Sequence, residues 1–180
     1  MAFRSRSVLF CLIVACIPAA GAAQNNAAEL AIKATYLYKF PPFVEWPTGA
    51  IPPAGSFTIC IVGDDPFGAM LDQAVSGQQI KGRPILIRRM LTFTPEAGCQ
   101  IVYATGSPVQ PVPIILAALR GRPVLSVTDG MRDGRLTGML NFVIADNRVR
   151  FEIDAQAAGE AGLAVSSKLL SLAVHVRPRS

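Results

Sequence analysis

Four side chains could do chemistry if the chain folds as its pattern suggests: Asp64, Asp65, Ser107 and Asp129. Each falls just beyond the carboxyl end of an expected strand, where open parallel sheets gather their ligands. Carboxylates there would suit a metal ion or a phosphoryl group, as in the acidic pocket of receiver domains. The lysine and threonine that such a site needs are missing from the matching strand ends. A simpler reading has Asp65 capping a helix and Asp129-Gly130 making a turn. Catalysis by a nucleophile has less support. His175 is the single histidine, no Gly-x-Ser-x-Gly elbow surrounds a serine, and Ser166-Ser167-Lys168 reads as a helix start. We expect no catalytic residues, no metal and no cofactor.

Gly63 to Gly68 follows a strand and opens a helix, yet it matches neither a dinucleotide fingerprint nor a P-loop. Asp64 and Asp65 would repel a phosphate placed at that helix terminus. Surface binding is the remaining chemistry. Phe40, Phe43 and Trp46 form an aromatic cluster broken by prolines, which either plugs one face of the sheet or docks a partner. Arg148, Arg150 and Glu152 share one side of a strand expected at a sheet edge, as a solvated face or a second contact patch.

The elements that must position these residues alternate. Ala27 to Phe40 has helical spacing of Leu30, Ala34, Leu37 and Tyr38, and Pro41-Pro42 ends or kinks it. Strands are expected at 57–62, 84–88, 99–104 and 124–128, with helices from Asp64 to Val75 (Asp65 as cap) and over 112–119. A hairpin follows, 139–144 with 148–153, turning at Ala145-Asp146-Asn147. Asp154 caps a short helix ending near Gly162. Ser166 or Ser167 caps a last one, with Leu169, Leu170, Ala173 and Val176 on its apolar side and His175 on or beside it. The pattern predicts one α/β domain: a mostly parallel central sheet flanked by helices, with a C-terminal antiparallel hairpin.

Residues 1–23 read as a signal peptide: Arg4 and Arg6, an apolar run from Val8 to Ile17, then Pro18 and small residues. The alternative is a lipobox, Ile13-Val-Ala-Cys16, with Cys16 acylated. Either route places residues 24–180 outside the cytoplasm. There Cys60 and Cys99 would form one disulfide, closing a loop of about forty residues worth on the order of 4 kcal/mol. Losing Arg4 and Arg6 lowers the net charge of +5 to about +3, and the remaining basic residues are scattered, which argues against nucleic acid as a partner.

Several blocks resemble a known family in order and spacing. They are Tyr36-Leu-Tyr-Lys-Phe-Pro-Pro-Phe-Val-Glu-Trp-Pro47, Gly63-Asp-Asp-Pro-Phe-Gly68, Gly82-Arg-Pro84, Gly121-Arg-Pro-Val-Leu125, Arg148 to Asp154 and Ser166 to Ala173. Across Ala28 to Val174 the chain resembles the YfiR-type proteins, small periplasmic proteins whose best-known member represses an inner-membrane diguanylate cyclase. The resemblance implies a non-enzymatic repressor that lowers cyclic di-GMP and biofilm formation. It also implies the cyclase's periplasmic domain as partner, an outer-membrane lipoprotein as competitor, and a homodimer. Relatives often carry another cysteine pair in the C-terminal half, absent here. A different class of function is a small-molecule sensor resembling one lobe of a solute-binding protein, using Asp64, Ser107 and Asp129. An acidic-site hydrolase is a third.

Overall fold

The computed structural model describes residues 20–130 and 137–179, with side-chain surroundings from residue 24 onward. The leader's basic start and apolar run, and Cys16, lie outside the described residues. Helix α1 spans Ala20–Lys39, so it begins within the stretch read as the end of the leader. Its alanines favour helix, and Pro41 and Pro42 stop it, because neither can donate a backbone hydrogen bond. A single 3-10 turn over Pro41–Phe43 follows. No helix among the described residues is long and apolar enough to cross a membrane.

The strands are β1 (Val44–Glu45), β2 (Phe57–Gly63), β3 (Gln79–Ile80), β4 (Arg83–Met90), β5 (Ile101–Gly106), β6 (Leu125–Asp129), β7 (Leu140–Ala145), β8 (Arg148–Asp154), β9 (Ala164–Val165) and β10 (His175–Arg177). Between them lie α2 (Ala69–Val75), α3 (Val112–Leu119), α4 (Ala155–Glu160) and α5 (Ser167–Leu170). Eight strands form one sheet in the order β10-β8-β7-β6-β5-β2-β4-β3. The five from β7 to β4 run parallel, β7 and β8 form the antiparallel hairpin, and β10 lies parallel to β8. The expected fold class stands: α/β, mostly parallel, with helices on the faces.

Burial on both sides explains why β2 is apolar apart from Thr58 rather than alternating. Ile59, Ile61, Ile101 and Tyr103 face the core beneath α1 and α2, whereas Cys60, Val62, Val102 and Ala104 pack with Ile115 and Leu119 of α3. The disulfide joins Cys60 to Cys99 with Cα atoms 5.8 Å apart, on the α3 side. It ties the middle of β2 to the segment entering β5.

The structure differs from these expectations in three places. The helix after β2 starts at Ala69, because Gly68 adopts a non-helical φ of 50° and ψ of −138°. Asp65 therefore does not cap it; its Oδ1 accepts from the Phe67 N–H at 2.8 Å, two residues ahead. The second change is at the C-terminus. Ser166 does cap α5, accepting from Leu169 N–H at 3.3 Å, but α5 ends at Leu170. His175 to Arg177 instead adds a parallel strand, with His175 opposite Glu152. The outer edge of β8 leaves backbone groups that a β-branched Val-His-Val-Arg segment satisfies better than a helix would. Consequently β8 is an open edge only near Arg148 and Arg150, and β10 covers the rest. The third is the two-stranded ladder of β1 with β9, too short to leave a periodic signal.

Elsewhere the reading holds closely. The hairpin turns on Asp146 and Asn147, both with positive φ, at 51° and 57°. Asp154 caps α4 through a 2.8 Å bond from Ala157 N–H.

Replacing both cysteines by alanine should lower unfolding free energy by about 4 kcal/mol, the loop-closure value for a separation of 39 residues. Urea unfolding of the variant against the oxidised chain measures it, and an unchanged midpoint would show that the bridge contributes nothing.

Candidate functional site

The strand order reverses between β2 and β5, and in open α/β sheets ligands bind at such a switch point. Here that crevice is shut by backbone. A Cβ on Gly63 would fall 1.9 Å from the Gly106 carbonyl oxygen, and Asp64 N–H donates to the same oxygen at 3.2 Å. Gly63 has φ of 103°, so glycine is required both for conformation and for the close approach.

Asp65, Ser107 and Asp129 on this rim are each bonded within the chain. Asp64 is exposed. Asp65 accepts from Arg89 Nε at 2.6 Å, and Arg89 also meets Asp72 at 2.7 Å and the Gly68 carbonyl at 2.9 Å. The bonds to Asp72 and Asp65 raise the Arg89 pKa above its ordinary value. Ser107 donates to the Leu91 carbonyl at 2.9 Å and accepts from Gln110 N–H at 3.1 Å. Asp129 holds Lys33 of α1 at 2.6 and 2.8 Å and accepts from the Tyr103 hydroxyl at 2.9 Å. Asp64, Asp65, Ser107 and Asp129 thus share an edge of the sheet, where the last three have separate bonding partners and Asp64 faces solvent. Among the described residues no three His, Cys, Asp or Glu side chains gather closely enough to hold a metal ion.

Lys33 is what sequence reasoning missed. Its side chain is 4% exposed, and Glu29, one turn back on α1, pairs with it as well. The Glu29-x-x-x-Lys33 spacing was visible as a helical ion pair. The long-range carboxylate was not, since Asp129 is 96 residues away. Burial, with the Asp129 carboxylate adding to it, pushes the Tyr103 hydroxyl far above its ordinary pKa, so it stays a proton donor.

The aromatic patch divides into three roles. Phe40 is fully in the core, 5.4 Å from the Tyr36 ring, 5.9 Å from Phe142 and 5.1 Å from Phe151. Trp46 lies edge-on to Phe57 at 5.5 Å, with Lys81 5.6 Å from its ring. Phe43, half-buried, lines a groove of about 130 Å³ with Tyr36, Lys39, Arg150, Phe151 and Leu172. The structure therefore brings Phe43 and Arg150 together. Arg148 stays exposed at the hairpin end, and Glu152 accepts from Asn141 Nδ2 at 3.1 Å. A separate cleft of about 390 Å³ opens between α3 and α4, lined in part by Arg120, Ser126, Met139, Glu160 and Arg177.

A family model described as YfiR/HmsC-like matches residues 30–174. The chain belongs to the YfiR/HmsC-like family. No curated protein gives a significant sequence match beside it. The matched span of this YfiR/HmsC-like chain starts inside α1 and stops just before β10, so it includes Lys33, Asp129 and the groove.

Removing one partner of the Lys33–Asp129 pair leaves the other charge under-compensated, Lys33 with Glu29 and Asp129 with the Tyr103 hydroxyl. Lys33→Ala and Asp129→Ala should each cost about 3 kcal/mol, and the double variant clearly less than their sum. A double-mutant cycle by denaturant unfolding reads this; strict additivity would mean no coupling.

Tyr103 sets an alkaline limit. Its folded pKa is raised above the unfolded value of 10.0, so its contribution is complete below that pH and is lost as pH rises. Above it the unfolded chain releases a proton that the folded chain keeps, and stability should fall by about 1.4 kcal/mol per pH unit. Stability measured against pH should show a shallower alkaline loss in Tyr103→Phe; equal slopes would rule out this residue as the cause.

Proposed function

We propose that this chain is an extracytoplasmic repressor that works by binding: it grips the periplasmic domain of a membrane-bound diguanylate cyclase and holds the enzyme inactive. Membership of the YfiR/HmsC-like family over residues 30–174 carries this reading. The rim carboxylates support it from another side. Asp65 and Asp129, the side chains that would run an acidic-site hydrolysis, are already bonded to Arg89 and Lys33.

Repression by binding has a thermodynamic requirement. The repressor must prefer the cyclase's inactive state, since equal affinity for both states would shift nothing. Moving the enzyme from 1:99 to 99:1 inactive takes about a 10⁴-fold preference, near 5.5 kcal/mol. A contact of ordinary size with one well-buried anchor is enough to supply that. The proposal includes export to the periplasm, a homodimer as the working form, and release through capture by an outer-membrane lipoprotein. Lower cyclic di-GMP and less biofilm are the physiological result.

Deleting the gene should raise cellular cyclic di-GMP and biofilm, and expressing the exported chain should restore both, while a form retained in the cytoplasm should not. Cyclic di-GMP measured by mass spectrometry in the three strains decides it. No rise on deletion would remove the repressor reading.

A further inference from the structure

The outer face of α1 and the groove beside it form one continuous strip. Ile32, Tyr36, Lys39 and Phe43 follow one another at spacings of three and four residues. A shallow surface pocket lined by Ala31, Ile32, Thr35, Tyr36 and Lys39 adjoins the groove through the shared Tyr36 and Lys39. Two large apolar side chains stand open along it, Ile32 at 45% exposure and Leu172 at 53%.

Charge at the rim narrows what could cover this strip. Lys39 and Arg150 line the groove, and Lys168 hangs with its ammonium 5.6 Å from the Phe43 ring. Among the described residues the ion pairs join Lys33, Arg89 and Arg177 to carboxylates, and none involves Lys39, Arg150 or Lys168. No carboxylate lines the groove either. An apolar floor with three cations and no matching anion complements an apolar side chain flanked by acidic ones.

The shape separates two classes of occupant. A bilayer needs a broad convex apolar face to enter hydrocarbon, whereas here the apolar surface is a concave slot with aromatic walls. A slot of about 130 Å³ has room for one large side chain.

We propose that the α1 groove is where the partner docks. One large apolar side chain of the partner enters between Phe43, Phe151 and Leu172, and carboxylates beside it pair with Lys39, Arg150 and Lys168. The proposal rests on the repressor reading above and adds the surface and the chemistry of the segment that meets it. A YfiR/HmsC-like chain using this face would lose affinity for the cyclase at high salt, because the rim pairs are exposed and screened.

The experiment uses the processed, disulfide-intact chain and a full-length membrane diguanylate cyclase of the same organism, chosen as the one whose deletion abolishes the rise in cyclic di-GMP, reconstituted in lipid nanodiscs. Affinity is measured for wild type, Lys39→Glu, Arg150→Glu, Leu172→Asp and a control, Ile114→Asp, whose side chain is exposed on α3. All the altered side chains are exposed, so folding is checked only by confirming unchanged thermal unfolding. The expected result is a loss of about tenfold or more for each groove variant, an unchanged control, and a weaker salt dependence for the two charge reversals. Tight binding by wild type and all four variants alike would overturn the groove and leave the repressor reading in place. Absence of binding by wild type would remove both. Groove variants that dissociate a dimer in sedimentation while keeping cyclase affinity would overturn the proposal by assigning the strip to a second copy of the chain.

Discussion

The position of α1 depends on one buried ammonium. Lys33 sits almost entirely out of water between Glu29 and Asp129, and such a group is tolerated only when its charge is matched. Apolar packing alone is non-directional and would accept α1 slid or rotated by a fraction of a turn. The Lys33–Asp129 bond is directional, and the Tyr103 hydroxyl donates to the same carboxylate oxygen, Oδ2. Together they set the rotation of α1 about its axis. Ala34, Leu37 and Phe40 then point into the core, while Ile32, Tyr36 and Lys39 are left along the outside.

The same pair takes up part of the edge where open parallel sheets bind ligands. A parallel sheet with this strand order places a crevice between the ends of β2 and β5. Here Gly63 and Gly106 bring their backbones into direct contact across it. Asp65 and Asp129 on either side hold arginine and lysine partners from within the chain. The edge where such sheets bind ligands is thus occupied by the chain's own groups. The faces differ: a helix and a hairpin strand leave apolar surface there beside cations that have no carboxylate partner among the described residues.

Aromatic packing joins the two regions. Tyr36 lies against Phe40, Phe142 and Phe151, so the floor of the groove is also the outer layer of the core. A partner side chain entering there would touch residues that hold α1 to β7 and β8. Binding at the surface and packing in the interior are coupled by contact, with no need for a longer route.

Much of this was legible in the residues themselves. Alternation of apolar runs with turn residues gave the parallel sheet, the hairpin at Asp146-Asn147, the cap at Asp154 and the stop at Pro41-Pro42. These are local signals, written within a few residues of the element they shape. Even the Cys60–Cys99 bridge followed from two thiols and the expectation of export. Tertiary structure decided what depends on distant parts of the chain meeting. Lys33 finds Asp129 across 96 residues, Arg89 of β4 meets Asp65, and His175 to Arg177 becomes a strand because β8 offers an edge. Phe43 and Arg150 share one groove for the same reason. A side chain's neighbours along the chain fix its backbone preferences; its partners in space exist only once the sheet has closed, and a charge or a strand edge takes whichever partner then lies within reach.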